Sequence, residues 1–198
     1  MSPSNPKPQQ ASGKVKQSRC IPLSQSKIDW LKGKVRDIPD FPKPGIVFKD
    51  LTTVLKDAEA FNFIIETLAE KYSDPKPAYV AGIEARGFIL GAPVAHCLGV
   101  GFVPIRKMGK LPGITVAEAY VLEYGRATLE MHADALKAAQ RVLIVDDVIA
   151  TGGTVRATIE LVRKAGGQVV AVTALLSIDA LGGTGRLSDC ELRVMFSA

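Results

Sequence analysis

Two adjacent acids, Asp146 and Asp147, stand between the apolar run Val142-Leu143-Ile144-Val145 and the segment Val148-Ile149-Ala150-Thr151-Gly152-Gly153-Thr154. A short β-branched run reads as a strand buried on both faces, as in the middle of a parallel sheet. Downstream, Val155, Ile159, Leu161 and Val162 recur at helical spacing until Gly166-Gly167, which predicts a helix over 154–165 with a glycine stop. The turn between them offers backbone N–H groups without side-chain bulk, two hydroxyls and a helix N-terminus, the ingredients of a phosphate cradle. Carboxylates repel a phosphate, so Asp146 and Asp147 suit the hydroxyls of a sugar, or a magnesium ion held through water. The combination describes a phosphorylated sugar as ligand. No Lys-Ser or Lys-Thr pair follows the glycines, which excludes a Walker-type loop.

Other charged residues fall where strands should end. In Gly82-Ile83-Glu84-Ala85-Arg86-Gly87-Phe88, Arg86 sits at the predicted start of a helix, where the dipole disfavours a cation unless an anion is near. Arg106, Lys107 and Lys110 enter a segment spaced with Gly109, Pro112 and Gly113, and three cations there suit a pyrophosphate. Glu123, in Leu122-Glu123-Tyr124-Gly125, is a carboxylate placed to fold over a bound base. There is no G-x-S-x-G elbow, and His96 and His132 lack metal-ligand spacing. His96 reads as packing inside a helix and His132 as a residue near a strand end without evident partner. Gly182-Gly183-Thr184-Gly185 lacks the spacing of a dinucleotide fingerprint and reads as a loop.

The elements that must position these groups alternate. A short helix is expected near Ile28-Leu31, then a proline-rich hood around Pro39-Gly45 and an extended Ile46-Phe48. An amphipathic helix spans 58–72, a strand Tyr79–Ile83, a helix 87–98 and a strand Gly101–Ile105. An irregular stretch, Lys107 to Ala119, follows and reads as a lid or binding loop. A hairpin is expected from Tyr120–Tyr124 and Ala127–Met131 around Gly125-Arg126, and Gln168–Leu176 is the last strong strand. Such alternation predicts an α/β fold with a largely parallel sheet and ligands outside the carboxyl ends of the strands.

The 198 residues, 47% of them hydrophobic, suffice for one domain with a core plus a tail. Residues 1 to 36 hold eight cations against Asp29 alone, more than the whole chain's net +5, so the body is slightly acidic and a nucleic-acid surface is not expected there. Residues 1–26 read as a disordered basic arm and 27–198 as a single domain. Cys20, Cys97 and Cys190 are too scattered for a disulfide framework or a zinc site, which points to the reducing cytoplasm. No stretch reaches the roughly 18 to 20 apolar residues that span a bilayer, and no secretory leader is expected.

Asp146-Asp147 with Ala150-Thr151-Gly152-Gly153-Thr154 resembles the phosphoribosyl-pyrophosphate motif of type I phosphoribosyltransferases. Further segments occur in the order found in the adenine phosphoribosyltransferase family: Ile38 to Pro42, Gly45 to Asp50, Glu84 to Phe88, Ile105 to Lys107, Lys110 to Gly113 and Leu122 to Gly125. The similarity covers about residues 28 to 180. The stretch Phe41 to Phe48 and the Leu-Glu-Tyr-Gly segment are what point to adenine. Many relatives carry Arg where this chain has Lys49, and Ser at Val121.

The resemblance implies the type I phosphoribosyltransferase fold, with a hood over about 35–55 and a flexible catalytic loop over about 107–122. It implies purine salvage: transfer of the 5-phosphoribosyl group from phosphoribosyl pyrophosphate to adenine, giving AMP and pyrophosphate, with Mg²⁺ held by substrate and water and a homodimeric assembly. Ala150, Thr151, Gly152, Gly153 and Thr154 would hold the 5′-phosphate, and Asp146 and Asp147 the ribose hydroxyls. Arg86, Arg106, Lys107 and Lys110 would line the pyrophosphate region. Phe48 would stack on adenine, the backbones of Val47 and Lys49 would read its edge, and Tyr124 would pack over the closed site. Glu123 and Arg86 would be the catalytic residues, Glu123 as general acid/base. Two alternatives stay open: transfer to hypoxanthine, guanine, xanthine or orotate, or a non-catalytic sensor of phosphoribosyl pyrophosphate. The sensor would need a DNA-reading domain, which about 25 arm residues without a helix-turn-helix pattern do not supply.

Overall fold

A computed structural model describes residues 24–122 and 125–198. Its centre is a seven-stranded sheet of order β5-β6-β4-β3-β7-β8-β9. The strands are β3 (Tyr79–Ile83), β4 (Gly101–Lys107), β5 (Thr115–Leu122), β6 (Gly125–His132), β7 (Arg141–Ile149), β8 (Gln168–Ser177) and β9 (Leu192–Ser197). From β4 through β3, β7 and β8 to β9 every pairing is parallel, while β6 pairs antiparallel with β4 and β5. A separate antiparallel ribbon joins β1 (Arg36–Ile38) to β2 (Phe48–Asp50).

Side chains alternate across each strand, so a strand buried on both faces feeds two cores. Val80, Leu143 and Val145 face a core closed by α1 (Gln25–Lys32), α3 (Ala58–Glu70) and α4 (Arg86–Leu98). Ala81, Val142 and Ile144 face the other, closed by α5 (Gly153–Lys164). The one-residue alternation explains why these strands read as continuous apolar runs.

The helices begin and end on identifiable signals. The Asp57 side chain accepts the Ala60 N–H at 3.0 Å and caps α3, and α4 stops at Gly99, whose φ of 68° is left-handed. Ser24 caps α1, so residues 25 and 26 belong to a helix rather than to the basic arm.

Three segments differ from the sequence expectation. The irregular stretch is confined to residues 108–114, because Thr115–Leu122 is strand: Val116 and Tyr120 lie two turns of the pleat apart and pack on the second core. Gly125 and Arg126 are strand residues of β6, paired with Leu122 and Val121 of β5, rather than the hairpin's turn. A further parallel strand, β9, was not expected; Met195 and Phe196 bury against the sheet while Arg193 breaks the apolar run. Finally, β7 continues through Asp146 and Asp147 to Ile149, which places both acids on the strand itself.

The hood is a small, polar-pinned unit. The Arg36 guanidinium reaches Asp50 across the ribbon, and Asp50 Oδ1 accepts the Thr52 N–H at 2.9 Å as α2 (Thr52–Leu55) starts. These hydrogen bonds, that from Arg36 first, lower the Asp50 carboxyl to about 2.

Candidate active site

The carboxyl ends of β3 and β7 open into three cavities that share walls. The largest, about 550 Å³, is bounded by Glu84, Arg86, Lys107, Tyr120, Asp146 and Asp147, among others. A small one of about 70 Å³ lies under Ala150, Thr151, Gly152 and Thr154. A third, about 290 Å³, is lined by Ile46, Val47, Phe48, Lys49 and Ile178. Val148 lines all three; Asp146 and Thr154 border the first two, and Ala150 borders the second and third. One strand end therefore joins an anion-sized niche, a polar cleft and an apolar slot.

The niche is a helix N-terminus held open. Gly152 takes φ 77°, where a side chain would be strained, and no side chain caps α5, so its first N–H groups face the niche. Val155 and Ile159 anchor α5 in the core, and Thr158 Oγ1 donates to the Thr154 carbonyl at 2.9 Å. Rigid anchoring keeps the donors aimed, and the helix dipole favours a phosphate there.

Asp146 and Asp147 are both buried at the cleft floor. The Arg86 Nε–H donates to Asp147 Oδ2, so the cation at the start of α4 is balanced by an acid of the protein itself. Asp147 N–H donates to Asp146 Oδ1 at 2.9 Å. Burial, and then the negative charge of Asp147, push the Asp146 carboxyl well above the usual carboxylate range. Close packing fixes this floor. A Cβ at Gly87 would lie 2.9 Å from both Asp146 Oδ1 and the Val145 carbonyl oxygen, so glycine is what lets α4 approach β7.

Sequence reasoning left Glu84 without a role, and the structure makes it a hub. Its carboxylate accepts from Lys110 Nζ at 2.6 Å, the Lys107 N–H at 3.0 Å and Arg106 Nε at 3.3 Å. Arg106 also donates to the Lys110 carbonyl at 2.9 Å. These bonds, led by that from Lys110, lower Glu84 to about 2. Of the four cations expected around a pyrophosphate, Arg86 and Lys107 line the cleft directly, while Arg106 and Lys110 border it through Glu84. An acid at a strand's carboxyl end, next to an arginine, was the available signal.

Glu130 was also missed. Buried in β6, it accepts the N–H groups of Lys110 and Leu111 at 2.9 Å each and the Thr115 hydroxyl at 3.3 Å. Desolvation raises its carboxyl, but the backbone donors outweigh it and the net shift is downward. An acid flanked by Leu129 and Met131 in an apolar strand was the clue. His132 has a partner after all, since Nε2 lies 2.9 Å from the Pro112 carbonyl oxygen. His96 is exposed on α4 rather than packed.

In the apolar slot, Phe48 meets Phe41 edge to face at 5.3 Å and the Arg86 guanidinium lies 5.7 Å from its ring centre. Val47 beside it is 48% exposed and lines the slot. Lys49 Nζ reaches Asp37 at 2.9 Å across the ribbon, so its ammonium group is engaged by an acid of the hood while the residue lines the slot. Glu123 and Tyr124 lie outside the described residues.

Comparison with known proteins gives the family. Residues 52–195 match the phosphoribosyl transferase domain family. The adenine phosphoribosyltransferase of Thermobifida fusca (strain YX) is 57% identical over 161 residues, 81% of this chain and 92% of the relative. The crystal structure of adenine phosphoribosyltransferase from Rhodothermus marinus DSM 4252 superposes with a TM-score of 0.84 at 49% identity, covering 88% of this chain and all of the other. The Saccharomyces cerevisiae enzyme, complexed with D-2,5-dideoxy-2,5-imino-altritol 1,6-bisphosphate and adenine, superposes with a TM-score of 0.81 at 36% identity over 86% of this chain and 98% of the other.

Proposed function

The chain belongs to the adenine phosphoribosyltransferase family, and from that premise we propose that it transfers the 5-phosphoribosyl group of phosphoribosyl pyrophosphate to adenine. The products are AMP and pyrophosphate, a purine-salvage reaction. The observation that carries the reading is the meeting of the three cavities at Val148. Phosphate, sugar with diphosphate, and base belong to one pair of reacting molecules, and the niche, cleft and slot that suit them share walls at one strand end.

The chemistry follows from the charges. Displacing pyrophosphate from the anomeric carbon breaks a C–O bond and forms a C–N bond to the base, with positive charge on the ribose ring and negative charge on the leaving oxygens. The N–H groups of residues 150–154 fix the 5′-phosphate, and Asp146 and Asp147 accept from the ribose hydroxyls. Lys107 and Arg86 stabilise the leaving diphosphate, each charge-assisted bond contributing roughly 1.5 to 3 kcal/mol. Phe48 holds the base flat against the slot, and Glu123 exchanges the proton that the purine ring loses on alkylation. The segment after β4 closes over the cleft and excludes water from the ribosyl cation.

Among the described residues no group of three or more His, Cys, Asp or Glu could hold a metal, whereas two carboxylates at the cleft floor fit an ion that enters with its own oxygen ligands. Mg²⁺ on the substrate diphosphate would neutralise the leaving group, with Asp146 and Asp147 meeting its water shell. No helix among the described residues is long and apolar enough to cross a membrane. A homodimer in the cytoplasm completes the reading, checked by sedimentation velocity and cell fractionation.

Incubation with phosphoribosyl pyrophosphate, Mg²⁺ and a panel of adenine, hypoxanthine, guanine, xanthine and orotate tests the assignment. AMP formed from adenine alone is expected. Product from another base, or none from any, would overturn it.

A further inference from the structure

The segment between β8 and β9 reads as a loop in sequence, yet its Gly183 is wedged into the turn that builds the phosphate niche. A Cβ at Gly183 would sit 2.1 Å from the Ala150 carbonyl oxygen, 2.6 Å from the Gly152 nitrogen and 2.8 Å from the Thr151 carbonyl carbon. The contact is reciprocal, since a Cβ at Gly152 would lie 2.6 Å from the Gly183 carbonyl oxygen. All of these neighbours are backbone, so no flexible side chain can swing aside. Gly183 itself has φ −65° and ψ −31°, which any residue adopts. Space, not conformation, requires glycine here.

The bracing segment cannot simply back away. Ile178 N–H donates to the Ile149 carbonyl at 2.9 Å, and Asp179 N–H donates to the Ala198 carbonyl at 3.1 Å. On the far side Leu187 is 1% exposed within the second core. Gly183 is thus held between two anchors, and a methyl group added there must push the 150–152 backbone. We propose that Gly183 is a positioning residue for the 5′-phosphate site: its backbone is the rear wall that sets where the Gly152 N–H points. The proposal rests on the reading of residues 150–154 as the phosphate cradle. A misplacement of about 1 Å in a positioned site can cost on the order of 100-fold in rate, so a small shove should be measurable.

The test compares Gly183→Ala with Gly185→Ala, whose added Cβ meets nothing within 4 Å. Ribose 5-phosphate and AMP are titrated against each protein by calorimetry, and steady-state kinetics are measured with both substrates. Expected for Gly183→Ala is at least a tenfold weaker ribose 5-phosphate affinity, with KM for phosphoribosyl pyrophosphate raised and KM for adenine unchanged. Gly185→Ala should match the wild type. Wild-type affinity for ribose 5-phosphate in Gly183→Ala would overturn the proposal. Should that variant not fold, hydrogen exchange of the wild type decides: ribose 5-phosphate should slow exchange in 180–187 as well as in 150–156, and protection of 150–156 alone would refute the brace. A wild type that does not bind ribose 5-phosphate would instead remove the cradle, and the proposal with it.

Discussion

Lys110 Nζ lies 2.6 Å from Glu84 Oε1, tying the segment after β4 to the one that leads from β3 into α4. The tie brings a cation and an acid to the rim of the cleft, and it depends on Glu84 being ionised.

The ionisation gives the pair a pH signature. Hydrogen bonds from Lys110 and its neighbours lower Glu84 from an ordinary 4.5 to about 2. A depressed carboxyl stabilises the fold fully above its unfolded value and loses that contribution as pH falls through the folded one. The stability difference between wild type and Glu84→Gln should therefore be constant above about pH 4.5 and shrink between 4.5 and 2. Urea titrations at a series of pH values check this; a difference that grows on acidification would contradict it.

Glu130 should govern the order of the same segment. Replacing it with Gln removes the charge that the Lys110 and Leu111 N–H groups meet at 2.9 Å, at a cost of about 2 kcal/mol. Hydrogen exchange at those two amides should accelerate in Glu130→Gln while the amides of β7 keep wild-type protection. Unchanged exchange at 110 and 111 would show that the carboxylate does not hold the segment.

Asp147 pairs with Arg86 and lines the cleft, where the proposed function gives it the ribose hydroxyls. Asp147→Asn loses one charge-assisted bond to the ribose and frees Arg86, so AMP affinity should fall by roughly 10- to 100-fold, the equivalent of about 1.5 to 3 kcal/mol. Calorimetric titration with AMP measures it. Equal affinity would leave Asp147 a structural partner of Arg86 only.

The family reading gives Glu123 the proton transfer. Glu123→Gln should lower kcat by about 10² to 10⁴ and leave the affinity for phosphoribosyl pyrophosphate nearly intact. A wild-type kcat would take Glu123 out of the chemistry.

Local signals in the sequence reached far into this fold. The β-branched run Val142–Val145, the glycine stop after α5 and the stripe of α3 each depend on near neighbours, and those elements lie where they were expected. Asp146, Asp147 and residues 150–154 could be read as a site because strand, acids and turn are contiguous in the chain. Groups whose roles come from distant partners were silent. Glu84 acts through residues 22 to 26 positions away, and Gly183 through a turn some 30 positions earlier. The first part of β5, Thr115 to Ala119, reads as irregular because Pro112 and Gly113 sit just before it, while the strand is held by its full-length pairing with β6.

A crystal structure with AMP bound would test the central claim most directly. The 5′-phosphate should occupy the niche beneath residues 150–154, with the ribose hydroxyls on Asp146 and Asp147 and the base against Phe48. A phosphate seated anywhere else, with that niche left to water, would contradict the account.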